Sequence, residues 1–163
     1  MSKAFVDTNV LIYSIDVNYP AKQRRARQLL EGLSQQHING VISTQVLQEY
    51  FVIATGKLGL DAILVKGMIA SMRQMELVTI DGTLIDEAID CHILNRISFW
   101  DALIVVSAEK AKCSTLWTED LNDGQVIRGV RIENPFKDVK AGARGRVKQR
   151  RAVYHTRRKK GAK

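Results

Sequence analysis

Four acidic residues stand where a sheet-forming chain could bring them together, namely Asp7, Glu49, Asp101 and Asp120. Asp7 and Asp120 directly follow apolar segments that read as strands. Glu49 lies about one turn into the helix that follows another strand, and Asp101 lies in the first turn of an apolar helix. In open parallel sheets, ligands bind outside the carboxyl ends of the strands. We therefore expect these four side chains to share one crevice.

Carboxylates that converge in a small space repel one another, so such clusters are partly protonated or surround a hard divalent cation. Ligands that are all oxygen favour Mg²⁺ or Mn²⁺ over zinc. The three histidines, His37, His92 and His155, are scattered, and the sequence has no Cys/His cluster. Two such metals roughly 4 Å apart can activate a water and stabilise the leaving oxygen of a phosphodiester. The acids therefore predict metal-assisted phosphodiester hydrolysis.

Each acid also has a simpler interpretation. Asp7 could cap a following helix. Asp101 stands three residues after Ser98, in the pattern of a capping box. Glu49 could be a solvated helix residue, and Asp120 lies in a segment rich in turn-forming residues. The order of the four acids along an alternating chain favours the shared site.

Strand-like and helix-like segments alternate along the chain, which predicts an α/β fold with a parallel sheet covered on both faces. The predicted strands are residues 4–6, 40–43, 77–80 and 115–118, with a small terminal hairpin at 126–132. The predicted helices are residues 21–33, 44–55, 61–75, 83–94 and 98–111, and Asp81 is predicted to cap the fourth of these.

The composition favours one compact domain that needs neither disulfides nor structural zinc, since the chain has 163 residues, 45% of them hydrophobic. The longest apolar run, residues 102–106, is too short to cross a membrane. Asp7 interrupts the first apolar stretch, so we expect no secretory signal. Cys91 and Cys113 stand in apolar contexts and are predicted to be reduced core residues of a cytoplasmic protein.

Four motifs resemble those of a known family. Residues 7–11 (Asp-Thr-Asn-Val-Leu), 48–50 (Gln-Glu-Tyr), 99–102 (Phe-Trp-Asp-Ala) and 118–121 (Thr-Glu-Asp-Leu) are similar to the sequential acidic motifs of PIN-domain ribonucleases. The resemblance is closest to the VapC-like toxins of bacterial and archaeal toxin–antitoxin pairs. It covers residues 3–136, including Asn-Pro-Phe at 134–136.

The resemblance implies a three-layer α/β/α sandwich around a central parallel sheet of about five strands, over residues 1–136. It implies a catalytic, metal-binding quartet of Asp7, Glu49, Asp101 and Asp120, which would bind Mg²⁺ or Mn²⁺ and use a metal-activated water as nucleophile. Asn9 and Thr118 match positions that shape the site through polar contacts, and Asp123 is a candidate accessory acid.

The implied function is a metal-dependent endoribonuclease with an RNA substrate, a protein antitoxin, a homodimeric state and no membrane attachment. An RNA-binding or RNA-processing protein without a toxin role, or without catalysis, is the main alternative. An aspartyl phosphatase is less favoured, because the segment from Asp7 to Asn9 has no second acid two residues on. A methionine stripe (Met68, Met72, Met75) predicts core packing, with an exposed dimer or antitoxin surface as the alternative.

The charge of the chain is divided unevenly. Residues 137–163 hold 12 of the 25 Lys/Arg and one of the 17 Asp/Glu, a net charge of +11 that leaves −3 for residues 1–136. We expect this segment to be a disordered basic tail that binds RNA through its phosphates, with an acidic partner or simple solvation as alternatives. Its candidate RNA-binding residues are Arg144, Arg146, Lys148, Arg150, Arg151, Arg157, Arg158, Lys159 and Lys160.

Overall fold

A mixed sheet lies at the centre of the computed structural model, which describes residues 2–35 and 38–139. Six strands are found in these ranges: β1 Lys3–Val6, β2 Asn39–Ser43, β3 Glu76–Val78, β4 Thr115–Trp117, β5 Val126–Ile127 and β6 Val130–Glu133. Their spatial order is β3-β2-β1-β4-β6-β5, and every neighbouring pair is parallel except β5 and β6. The predicted α/β class with a central parallel sheet is confirmed.

The central strand β1 positions the crevice. From β1 the chain goes to β2 and β3 on one side, and then returns to place β4 on the other side. Val6 pairs with Trp117 at the carboxyl ends of β1 and β4, and the Asp7 N–H donates to the Trp117 carbonyl at 3.1 Å. The residues that follow these two strands therefore emerge side by side, at a point where the strand order reverses.

Six helices occupy the described ranges: α1 Thr8–Ile15, α2 Pro20–Gln35, α3 Thr44–Gly56, α4 Ala62–Met72, α5 Gly82–Asn95 and α6 Phe99–Lys110. Side-chain oxygens begin several of them by accepting from backbone N–H groups that have no partner within the helix. Asp81 accepts from the Leu84 N–H at 2.9 Å, which confirms the predicted cap. Ser98 accepts from the Asp101 N–H at 3.0 Å in the same way.

The structure corrects the predicted elements at α1 and at β3. Helix α1 was not among the helices predicted from periodicity, because its first six residues are all buried and so show no polar face. The strand predicted at 77–80 ends at Val78. Among the described residues five strands run parallel, as predicted, and the antiparallel β5 of the predicted terminal hairpin adds a sixth.

The core confirms two predictions about side chains. Met68, Met72 and Met75 are partly buried and pack against it. The methyl group of Met75 lies only 2.5 Å from where a Cβ would stand on Gly40, so β2 and this side chain approach closely because residue 40 is glycine. Cys91 and Cys113 are buried free thiols. No helix within the described residues is long and apolar enough to span a membrane.

The start of the basic segment contacts the rest of the fold. The Lys137 ammonium forms an ion pair with Asp123 at 2.9 Å, and Val139 packs against the core. All nine candidate RNA-binding residues of the tail lie outside the described residues. The predicted division at residue 136, and the predicted role of the tail, therefore stay predictions.

Candidate active site

Asp7 is the most enclosed of the four acids. It follows β1 and precedes α1, and only 1% of its surface is exposed. Its Oδ1 accepts from the Thr8 N–H at 2.7 Å. Its Oδ2 accepts from the Asn9 amide at 2.9 Å and from the Thr118 hydroxyl at 2.7 Å. The end of β1, the start of α1 and the end of β4 therefore all orient this carboxylate.

Asn9 joins Asp7 to Asp120. Its side-chain nitrogen lies 2.9 Å from Asp7 Oδ2, 3.1 Å from Thr118 Oγ1 and 3.2 Å from Asp120 Oδ2. Thr118 also accepts from the Asp120 N–H at 3.1 Å. Asn9 and Thr118 thus lie between the two acids that follow β1 and β4.

Glu49 reaches this cluster from α3. The Thr8 hydroxyl donates to Glu49 Oε2 at 2.9 Å, and the Gln45 amide donates to Glu49 Oε1 at 2.8 Å. Gln45 stands one turn before Glu49 on the same helix, where residues i and i+4 face the same side. Both carboxylate oxygens therefore have donors, one of them from α1.

Asp101 lies in the first turn of α6. Its backbone N–H donates to the Ser98 hydroxyl, and that hydroxyl donates to the Asp101 carboxylate. The carbonyl of the preceding residue, Trp100, accepts from the Gln45 amide at 3.3 Å. Gln45 therefore connects the turn that carries Asp101 with the helix that carries Glu49.

Asp123 lies apart from the hydrogen bonds described above and contacts the turn that follows β6. It accepts from the Asn134 N–H at 2.9 Å and pairs with Lys137. The Asn134 N–H and then Lys137 lower the pKa of Asp123. The described contacts place this acid where it fixes the turn after β6.

A partly buried cluster lies behind the loop that carries Asp120. The Tyr13 hydroxyl donates to Glu119, and the Lys22 ammonium pairs with Glu119 and donates to the Tyr13 oxygen at 3.0 Å. Burial, and then the hydrogen bond to Glu119, raise the pKa of Tyr13. The neutral hydroxyl thus remains a donor to Glu119 through the physiological pH range.

Sequence reasoning missed Gln45, Tyr13, Lys22 and Glu119. The spacing of Gln45 and Glu49 was a usable signal, because residues four apart on a helix are neighbours. The Tyr13, Lys22 and Glu119 contacts join residues that are far apart in sequence, so no local pattern marks them.

By donor type the site fits a hard divalent cation, since it offers carboxylate and amide oxygens. The amide oxygens of Asn9 and Gln45 are buried and have no hydrogen-bond partner among the described residues. As the side chains stand, however, no three Asp, Glu, His or Cys groups in that part of the chain are placed to hold a metal ion. The carboxylates are instead held by Asn9, Thr8 and Ser98.

The family model of the PIN domain matches residues 4–125, and this stretch contains all four acids. The chain belongs to the PIN domain family. The resemblance carried by the four acidic motifs is therefore confirmed. No protein in the curated set matches this PIN domain chain significantly in sequence.

Solved structures share this PIN fold. A toxin–antitoxin complex from Klebsiella pneumoniae is 21% identical with a TM-score of 0.60, covering 81% of this chain and 97% of that one. VapBC2 from Rickettsia felis, bound to a promoter DNA fragment, is 18% identical with a TM-score of 0.58, covering 81% and 98%. FitAcB from Neisseria gonorrhoeae is 15% identical with a TM-score of 0.55, covering 82% and 99%. At these identities the likeness establishes the fold.

Proposed function

We propose that this PIN domain is a metal-dependent endoribonuclease that hydrolyses RNA phosphodiester bonds. The observation that carries the proposal is the bridge from one Asn9 amide to the carboxylates of both Asp7 and Asp120, with Glu49 joined through Thr8. Hydrogen bonds thus connect Asp7, Asp120 and Glu49, and Gln45 connects Glu49 to the backbone beside Asp101. The residues proposed to bind Mg²⁺ or Mn²⁺ are Asp7, Glu49, Asp101 and Asp120.

In this proposal, the polar neighbours of the four acids orient the carboxylates, and the carboxylates give the crevice its negative charge. Asn9 and Thr118 hold Asp7 and Asp120 side by side, and Thr8 fixes the distance to Glu49. Without a cation, this concentration of negative charge repels a phosphodiester. A bound divalent cation would supply positive charge for the phosphate and lower the pKa of a water.

The structural neighbours support a role as the toxin of a toxin–antitoxin pair, since their names identify toxin–antitoxin assemblies. On this proposal the partners are an RNA substrate, a protein antitoxin and a second copy of the chain, all in the cytoplasm. The basic tail, residues 137–163, would add affinity for RNA through its phosphates.

An RNA cleavage assay on the full chain tests the proposed activity. We expect end-labelled single-stranded RNA to be cleaved with Mg²⁺ or Mn²⁺ and to stay intact with EDTA. A double variant, Asp7→Asn with Asp101→Asn, should lose cleavage while circular dichroism shows an unchanged fold. Asp90→Asn is the matched control, because Asp90 is exposed on α5, and it should cleave normally.

Two results would contradict the proposal. One is robust cleavage in the chelator, which would indicate a metal-free mechanism. The other is undiminished cleavage by the folded double variant. RNA binding without cleavage under every metal condition would favour the non-catalytic RNA-binding alternative.

A further inference from the structure

The amide of Gln45 occupies a central position between two helices. Gln45 is 97% buried on α3, since only 3% of its surface is exposed. Its nitrogen donates to Glu49 Oε1 at 2.8 Å and to the Trp100 carbonyl, one residue before Asp101, at 3.3 Å. One side chain therefore contacts one acid directly and the backbone beside another.

The orientation of this amide is determined by its surroundings. The nitrogen carries two hydrogens, and both of its partners, a carboxylate and a carbonyl, are acceptors. Rotating the amide by half a turn would set an oxygen against two oxygens. The donor side of Gln45 is therefore fixed toward Glu49 and α6.

The other end of the amide is its oxygen. The Gln45 oxygen is buried and has no hydrogen-bond partner among the described residues, which costs free energy in a folded protein. An apolar side chain of similar size would fill the same space without that cost. Within residues 2–35 and 38–139, the two buried side-chain atoms without partners belong to Gln45 and Asn9, and both amides donate to acids of the site.

We infer that Gln45 is a positioning residue for the cation site: it holds the Glu49 carboxylate in one orientation and ties it to the turn that carries Asp101. This inference rests on the proposed function, because it assumes that the acids bind a divalent cation. Removing a group that orients a metal ligand commonly weakens metal binding by 10- to 100-fold. Gln45 acts through Glu49.

The test measures Mn²⁺ binding directly and does not depend on RNA cleavage. The full chain is freed of metal with a chelator, and Mn²⁺ is added while electron paramagnetic resonance records the free ion. Gln45→Met keeps the size of the side chain and removes both donors. Gln28→Met is the matched control, since Gln28 is an exposed glutamine on α2.

We expect the Kd for Mn²⁺ to rise about tenfold in Gln45→Met and to stay unchanged in Gln28→Met. In a Glu49→Gln background, adding Gln45→Met should change the Kd by less than about twofold, because the carboxylate that it orients is already gone. Gln45→Leu, which removes the same donors with different packing, should repeat the tenfold loss.

A lower melting temperature with an unchanged Kd would show a purely structural role and overturn the inference. A full tenfold effect in the Glu49→Gln background would overturn it as well. If neither Gln45 variant folds, the amide is needed for the fold itself and the positioning role is rejected. A failure of the proposed function would look different. In that case the unaltered chain would not bind Mn²⁺, or it would bind Mn²⁺ equally well with and without Asp7→Asn.

Discussion

The hydroxyl of Tyr13 donates to the carboxylate of Glu119, the residue between Thr118 and Asp120. Lys22 pairs with the other oxygen of Glu119, and its ammonium lies 4.2 Å from the centre of the Tyr13 ring. Helices α1 and α2 thus support the loop after β4 from behind. Contacts that involve none of the four candidate acids therefore also support the loop that carries Asp120.

Tyr13→Phe should lower the free energy of unfolding by about 1 kcal/mol, the usual net value of one hydrogen bond. The ring and its packing against Tyr19 and Phe136 remain. Urea denaturation measures the change. Tyr19→Phe is the control and should match the unaltered chain. Equal stability of both variants would show that the bond to Glu119 contributes nothing measurable.

The pH dependence of stability should also identify Tyr13. Its pKa is raised far above the usual 10.0 in the folded protein, so above pH 10 the unfolded chain binds fewer protons than the folded one. The stability that Tyr13 contributes is fully present below pH 10. Above pH 10 the free energy of unfolding falls by up to about 1.4 kcal/mol per pH unit. The free energy of unfolding of Tyr13→Phe should fall less steeply with pH than that of the unaltered chain. Identical slopes in the two proteins would contradict the raised pKa of Tyr13.

Ser98 should stabilise α6 as its N-cap. Ser98→Ala removes the acceptor for the Asp101 N–H and should cost about 1 kcal/mol, measured by chemical denaturation of the metal-free chain. Ser98→Thr keeps the hydroxyl and should stay within about 0.5 kcal/mol of the unaltered chain. Equal losses in the two variants would show that packing, rather than the hydroxyl, matters at this position.

The two thiols should be unreactive in the folded protein. Burial raises the pKa of Cys113 to about 12 and also raises the pKa of Cys91. The thiolate is the reactive form, so neither residue should react rapidly with Ellman's reagent at pH 8. In guanidinium chloride both should react. Fast labelling of one thiol before denaturation would contradict the buried placement.

The basic tail should determine how RNA binding depends on salt. If five or six of its cations contact single-stranded RNA, replacing its nine candidate residues with glutamine should reduce the log–log salt slope by roughly 4. The same number of glutamines at exposed Lys/Arg positions of the body is the control. An unchanged slope in the tail variant would remove the RNA-binding role.

Much of the site could be predicted because strand ends are marked in the sequence. Asp7 and Asp120 follow short apolar segments, and parallel strands bring such ends together. Ser98 and Asp81 precede apolar helices, so their capping roles follow from local spacing. These features depend on residues within a few positions of each other.

The remainder depends on contacts that no local pattern specifies. The bond from Tyr13 to Glu119 spans 106 positions, and the bond from Asn9 to Thr118 spans 109. Helix α1 is buried on all sides in its first six residues, so its composition resembles that of a strand. In the sequence, Gln45 looks like an ordinary polar helix residue, and its role becomes visible only in its contact with the Trp100 carbonyl of α6.

Strand β1 is made first, but its neighbour β4 is completed only at Trp117. The donors that hold Asp7 come partly from Thr118, and the second acid of the Asn9 bridge is Asp120. A nascent chain therefore lacks a complete acidic crevice until nearly the whole domain has been synthesised. On the proposed function, the order of its strands delays RNA cleavage until the domain can fold.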